Sequence, residues 1–209
     1  MSKQANRGRP RQFDDDIALD QIMHVFWKNG YSSTSLDQIA AATGLNRPSL
    51  YAAFGSKKDM YLKVVNRFAD RMNAHLKQAG EKESGAAPKL KSIFSAAIDL
   101  YTGSTDVSDA SLGCLAISTL QSEAVTDPDF QAALDEVLMR MDAGFTALLK
   151  REMGGSLPED AAEIAGSQLA MFLHGLSVRA RIGHKPGTLK LLANDVIEKL
   201  VRHEKTPDR

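Results

Sequence analysis

Asn46, Arg47, Ser49, Tyr51 and Ala52 fall on the outward side of a short predicted helix whose apolar contact is Leu50. Short hydrogen-bonding side chains beside one guanidinium and one phenol can read base edges and grip phosphates in a DNA major groove. Charge agrees with that chemistry. Residues 1–12 carry Lys3, Arg7, Arg9 and Arg11 and no acid. Residues 1–60 hold eight bases against six acids, while 61–209 hold 18 against 20, so a formal net charge of zero conceals a basic front end. A basic arm containing Gly8 and Pro10 points to a polyanionic partner, although a solvated tail has the same composition.

Other reactive groups are sparse. Cys114 is the single cysteine. At the start of a predicted helix over 112–125 its thiol is either a lowered-pKa redox or electrophile sensor or a small buried apolar group. The histidines (His24, His75, His174, His184, His203) show no i, i+4 pairing, so no metal site is expected. His174 is expected to bond within a dimer core. Gly103, Gly154-Gly155 and Gly183 lie between helices rather than in a phosphate loop, and no nucleophile motif or carboxylate pair stands out. Neither a cofactor nor an enzymatic activity is expected.

Several elements must position these groups. A length of 209 residues allows one or two domains, with 43% hydrophobic and 25% charged residues typical of a globular chain. The basic N-terminus has no apolar run behind it, unlike a signal peptide. The most apolar stretch, 164–178, contains Ser167, Gln168, His174 and Ser177 and falls short of the roughly 20 residues a bilayer requires. One cysteine suits a reducing cytoplasm. Apolar residues recur at three- and four-residue steps throughout, which predicts an all-α fold of about nine helices. These run over about 14–29, 35–43, 46–54, 57–79, 88–102, 112–125, 128–152, 158–182 and 188–203, with a Gly/Ser/Pro linker at 80–88. Ser35 with Gln38 has capping-box spacing, Asn46 and Ser56 are N-caps, and Gly30 and Gly44 end helices.

Thr43-Gly44-Leu45 between two short helices makes a helix-turn-helix, with Ile39, Ala40, Leu45 and Leu50 as its internal contacts. The run Gly30-Tyr31, Thr34-Ser35-Leu36-Asp37-Gln38-Ile39-Ala40, Thr43-Gly44-Leu45-Asn46, Leu50-Tyr51, Phe54 and Lys57 resembles the TetR family of transcriptional regulators. Ala53 departs from it, standing where the family very often has His. The resemblance implies a disordered basic arm (1–12), a DNA-binding head (13–56) and a helical ligand-binding and dimerisation domain (57–209). It further implies that Thr34, Ser35, Tyr51 and Lys57 bind phosphate. Arg47 would be bidentate to guanine with Asn46 and Ser49 assisting, and Arg7, Arg9 and Arg11 would reach the adjacent minor groove.

Residues 161–182 contain 13 apolar residues and three charges, so that helix needs burial on more than one side. Its small-residue face, with Ala162, Gly166, Ala170 and Leu173, is expected to meet a two-fold mate together with Ala193, Val196, Ile197 and Leu200. Phe68, Phe94, Leu115, Phe145 and Phe172 either wall a ligand pocket or form plain core. The function implied is a homodimeric repressor that a small-molecule inducer releases from a palindromic duplex DNA operator. The alternatives are a regulator switched through Cys114, or a helical enzyme or adaptor with a vestigial head. No membrane partner is expected.

Overall fold

The computed structural model describes residues 13–105, 110–154 and 157–203, which form ten helices and no β-strand. The arm residues Arg7, Arg9 and Arg11 lie outside this set. Three helices make the head: α1 (Asp15–Asn29), α2 (Leu36–Thr43) and α3 (Arg47–Phe54). Each starts on a side-chain cap that occupies otherwise orphaned amide groups. Asp14 accepts from Asp16 and Ile17, Ser35 and Gln38 form a full capping box, and Asn46 accepts from Ser49. Gly44 takes the left-handed conformation, φ 68°, at the turn between α2 and α3, where a side chain would be strained. Ile22, Phe26, Ile39, Leu50 and Phe54 close the head's interior.

The body begins with α4 (Lys57–Glu81), followed by α5 (Ala86–Tyr101), α6 (Leu115–Thr119), α7 (Gln121–Ala124), α8 (Pro128–Met153), α9 (Glu159–Arg181) and α10 (Pro186–His203). Two expectations change here. The linker predicted over 80–88 shrinks to four residues, because Gly80 stays helical and buried against Ile93 and Pro88 fits the first turn of α5. The helix predicted over 112–125 starts later and is two short pieces. Leu115, Ala116, Ile117, Thr119 and Leu120 bury into the body, and the chain then turns so that Glu123 accepts from Ser32 of the head at 2.6 Å.

Packing also corrects the face assigned to α9. Ala162, Gly166, Ala170 and Leu173 are buried within the chain, as are Ala193 and Ile197 of α10. Gly166 lies tight against α8: a Cβ there would lie 2.8 Å from the backbone nitrogen of Thr146. The small residues let α8 and α9 of one chain touch, which leaves none of that face for a partner. Val196 and Leu200 are half-buried. His174 likewise turns inward, its Nε2 3.1 Å from the sulfur of Met141, and burial lowers its pKa. The outward seam is instead Ile164, Gln168, Met171, Gly175, Val178 and Ile182, all exposed. No helix among the described residues is long and apolar enough to cross a membrane.

One ion pair ties α5 to the end of α8. Lys89 donates to Glu152 at 2.6 Å, with the two side chains 16% and 13% exposed, and Arg151 donates to the same carboxylate. These cations hold Glu152 down at about 2. A folded-state pKa below the ordinary carboxylate value contributes stability that is complete above about pH 4.5 and lost as pH falls towards 2. Thermal melts should therefore show a smaller loss of stability between pH 5 and pH 3 for Glu152→Gln than for the wild type. Equal losses would remove this pair from the acid sensitivity.

Candidate nucleic-acid interface

The outer edge of the head is built by α2 and α3. One side of α3 is locked by Leu50 and Phe54, which leaves Asn46, Arg47, Tyr51 and Ala52 exposed and Ser49 half-buried. Asn46 uses its side-chain oxygen on the cap, so its amide nitrogen is the group left to donate. Tyr51 is 49% exposed. Arg47 is not a free cation. Its Nε and Nη2 donate to the two carboxylate oxygens of Asp37 at 2.9 and 2.6 Å, and that guanidinium holds Asp37 below the usual carboxylate range.

At the start of α2, Ser35 is exposed and its hydroxyl accepts from Gln38 while its own proton stays available. Thr34 corrects the sequence reading. It is 2% exposed, its hydroxyl donates to the Gly30 carbonyl at 2.6 Å and its amide to Tyr31, so neither donor faces a phosphate. The hydroxyl closes the α1–α2 turn instead. Lys57 lies half-buried at the first residue of α4, its ammonium 4.4 Å from the centre of the Tyr31 ring, and burial lowers its pKa. Its cation–π contact fixes the amine beside the head. Lys58 is held by Asp127, the N-cap of α8, and by Asp129 in its first turn.

The head is fastened to the body at several points. Arg67 donates to Asp16 and Asp20, and Arg71 to Asp20, across α4 and α1. Tyr61 meets Phe26 and Phe130 edge to face, as Phe130 meets Tyr31, and the Tyr61 hydroxyl meets Thr119 at 2.5 Å. Trp27, fully buried, packs on Phe68 with ring centres 4.9 Å apart, and its indole N–H donates to the Gly113 carbonyl at 3.1 Å. Gly113, at φ 67°, passes so close to α9 that a Cβ would lie 2.7 Å from the Ser177 carbonyl oxygen. Arg181 near the end of α9 donates to both the Leu112 and the Trp27 carbonyls, at 2.8 and 3.2 Å. Residues 112–114 are thus clamped between head and α9.

Below this junction a cavity of about 470 Å³ opens between α4, α5 and α8. Phe68, Met72, Leu76, Ile93, Val137 and Phe145 give it apolar walls, and Lys77, Lys89, Arg140 and Arg151 stand along it. Of the aromatic and aliphatic residues expected to form it, Phe68 and Phe145 do. Phe94, Leu115 and Phe172 do not, since Phe94 and Leu115 are fully buried and Phe94 packs between the rings of Phe145 and Phe172. Cys114 reaches the cavity wall, yet burial raises its thiol to about 11. Of the two readings open for this thiol, the small buried group is the one this supports: desolvation outweighs the nearby helix start.

Sequence reasoning missed Asp37, Trp27, Arg181 and the outward α9 seam. The seam was legible as apolar residues seven apart (Ile164, Met171, Val178); the other three carry no spacing signal, because each acts on a partner distant in sequence.

Similarity to known proteins agrees with this geometry. The model of the bacterial regulatory proteins of the tetR family matches residues 18–64, which covers most of the head and the start of α4. The transcriptional repressor ComR of Escherichia coli K12 is 31% identical over 182 residues, 85% of this chain and 84% of ComR. BdcR, another repressor of the same organism, is 25% identical over 177 residues, 85% of this chain and 84% of its own. Among solved structures, a cysteine mutant of the TetR-family regulator CifR complexed with 26-bp operator DNA superposes with a TM-score of 0.75 at 27% identity, covering 93% of this chain and 98% of that one. These relatives are transcriptional regulators, not enzymes. With a capped helix-turn-helix head and a relative this similar over most of its length, the chain belongs to the TetR family of bacterial transcriptional regulators.

Proposed function

We propose that this chain is a homodimeric repressor that binds a palindromic DNA operator and leaves it when a small molecule fills the cavity between α4, α5 and α8. The observation that carries the reading is the two-sidedness of α3, with Leu50 and Phe54 locked into the head and Arg47 and Tyr51 turned to solvent. Ser35 and Lys57 flank that edge and suit phosphates, and the relation to ComR and to DNA-bound CifR supports the same role.

One such edge spans few base pairs. Two of them held about 34 Å apart read an inverted repeat, which requires a two-fold dimer. The exposed seam of α9 suits that contact. Ile164, Met171, Val178 and Ile182 form an apolar row, broken by Gln168, of the kind a monomer rarely leaves in water, and Gly175 has nothing within 4 Å of a Cβ position, so a second helix can come close.

Release follows from the junction. Phe68 is both a cavity wall and the packing partner of Trp27, and Cys114 adjoins the carbonyl that holds the Trp27 indole. A ligand that pushes on this wall moves α4 and α1 together and takes the paired heads out of register with successive grooves.

Selection from a random duplex pool should return an inverted repeat with half-site centres about one helical turn apart. Arg47→Ala should weaken binding to it by about 1–3 kcal/mol and flatten preference at one base per half-site. A pool without symmetry, or an unchanged Arg47→Ala profile, counts against the reading. Met171→Glu should give a folded monomer by analytical ultracentrifugation, with operator affinity lost. A dimer that survives it would place the interface elsewhere. Gly144→Trp, which plugs the cavity from an open position on α8, should leave DNA binding intact while abolishing both the melting-temperature rise and the operator release caused by cavity-binding compounds. Unaltered release would locate the inducer in another site.

A further inference from the structure

We propose that Asp37 is the positioning residue for base recognition: it grips Arg47 side-on, so that the remaining end of the guanidinium fork reads one guanine in each half-site. The inference rests on α3 entering the major groove. Its ground is the geometry of the pair. Arg47 offers its Nε–H and one Nη2–H to the two oxygens of Asp37, at 2.9 and 2.6 Å. A guanidinium has five N–H groups, so the second Nη2–H and the adjacent Nη1–H remain free of this pair and run parallel out of the end of the fork. That spacing matches the O6 and N7 acceptors of guanine, the contact that Arg makes best.

The placement of the pair argues that it does not serve the fold. Asp37 is the second residue of α2 and Arg47 the first of α3, and their side chains are 73% and 55% exposed. An ion pair this wet contributes little to stability. It does remove the rotamer freedom of a long side chain that would otherwise have to be ordered when DNA arrives. A carboxylate so close to phosphates opposes non-specific attraction, so its net effect on binding is to favour the sequence that Arg47 fits. Asp37 therefore trades general affinity for discrimination.

The test measures equilibrium binding of the full-length protein to the selected inverted repeat and to every single-base-pair variant of one half-site. Wild type, Asp37→Ala, Arg47→Ala, Arg47→Lys and the Asp37→Ala/Arg47→Ala double variant are compared. Asp37→Ala should reduce preference for guanine at one position by about tenfold, with an unchanged melting temperature and equal or tighter binding to unrelated duplex. Arg47→Ala and Arg47→Lys should flatten the same position, Arg47→Lys keeping the salt dependence. The double variant should discriminate no worse than Arg47→Ala. Asp37→Ala preferences equal to wild type at every position would overturn the proposal. So would tighter operator binding with unaltered preferences, because that marks the carboxylate as a mere competitor for Arg47. If Arg47→Ala changes no position while the wild type still discriminates, base reading by Arg47 fails and the role of Asp37 fails with it. If the wild type prefers no sequence, the DNA-reading function itself is refuted.

Discussion

A single unbroken helix governs this molecule. The 25 residues of α4 rise about 1.5 Å each, a rod of nearly 40 Å. Its first turns belong to the head: Lys63 donates to the Phe54 carbonyl, Tyr61 packs on Phe26, and Arg67 and Arg71 bind the α1 aspartates. From Phe68 onward it walls the cavity, through Met72 and Leu76 to Gly80. A hydrogen-bonded rod without a proline or bulge does not bend cheaply at its middle, so displacement at one end is felt at the other. The aromatic contact of Trp27 with Phe68 sits where the two halves meet.

The rod would couple nothing if its neighbours were loose. Residues 112–114 prevent that, bound on one side to Trp27 and on the other to Ser177 and Arg181. Three carbonyls, of Trp27, Leu112 and Gly113, thereby find donors at the junction, a place where an unpaired polar group would be costly. The same backbone segment borders the cavity through Cys114. Head, cavity and α9 meet within a few residues, and α9 carries on its outer side the seam available to a second chain.

Most of the head was legible because its signals are local. Ser35 with Gln38, Asn46 before α3, Ser56 with Asp59, and Gly44 at the turn are caps and stops whose partners lie within four residues, and each appears where its spacing places it. Errors arise where a competing turn or the packing of another helix claims the group. Thr34 looked like a phosphate ligand beside Ser35 until the turn took its hydroxyl. The small residues of α9 looked like a dimer seam, but any close helix pair needs small residues, and here the pair lies inside one chain, with Gly166 against Thr146. For Cys114, left open between an activated thiol and a small buried group, burial among apolar neighbours supports the second.

Periodicity and capping alone determined an all-α chain, the helix-turn-helix with its outward residues, and a body of long amphipathic helices. These follow from interactions between residues a turn or two apart, which any reading of the order of residues can reach. Only the tertiary structure decided which side of α9 is spent internally, which aromatics enclose empty space, that Arg47 rests on Asp37, and that Trp27, Gly113 and Arg181 meet. Each depends on how packed helices share a surface, and contacts between residues ten or more positions apart leave no mark in local spacing.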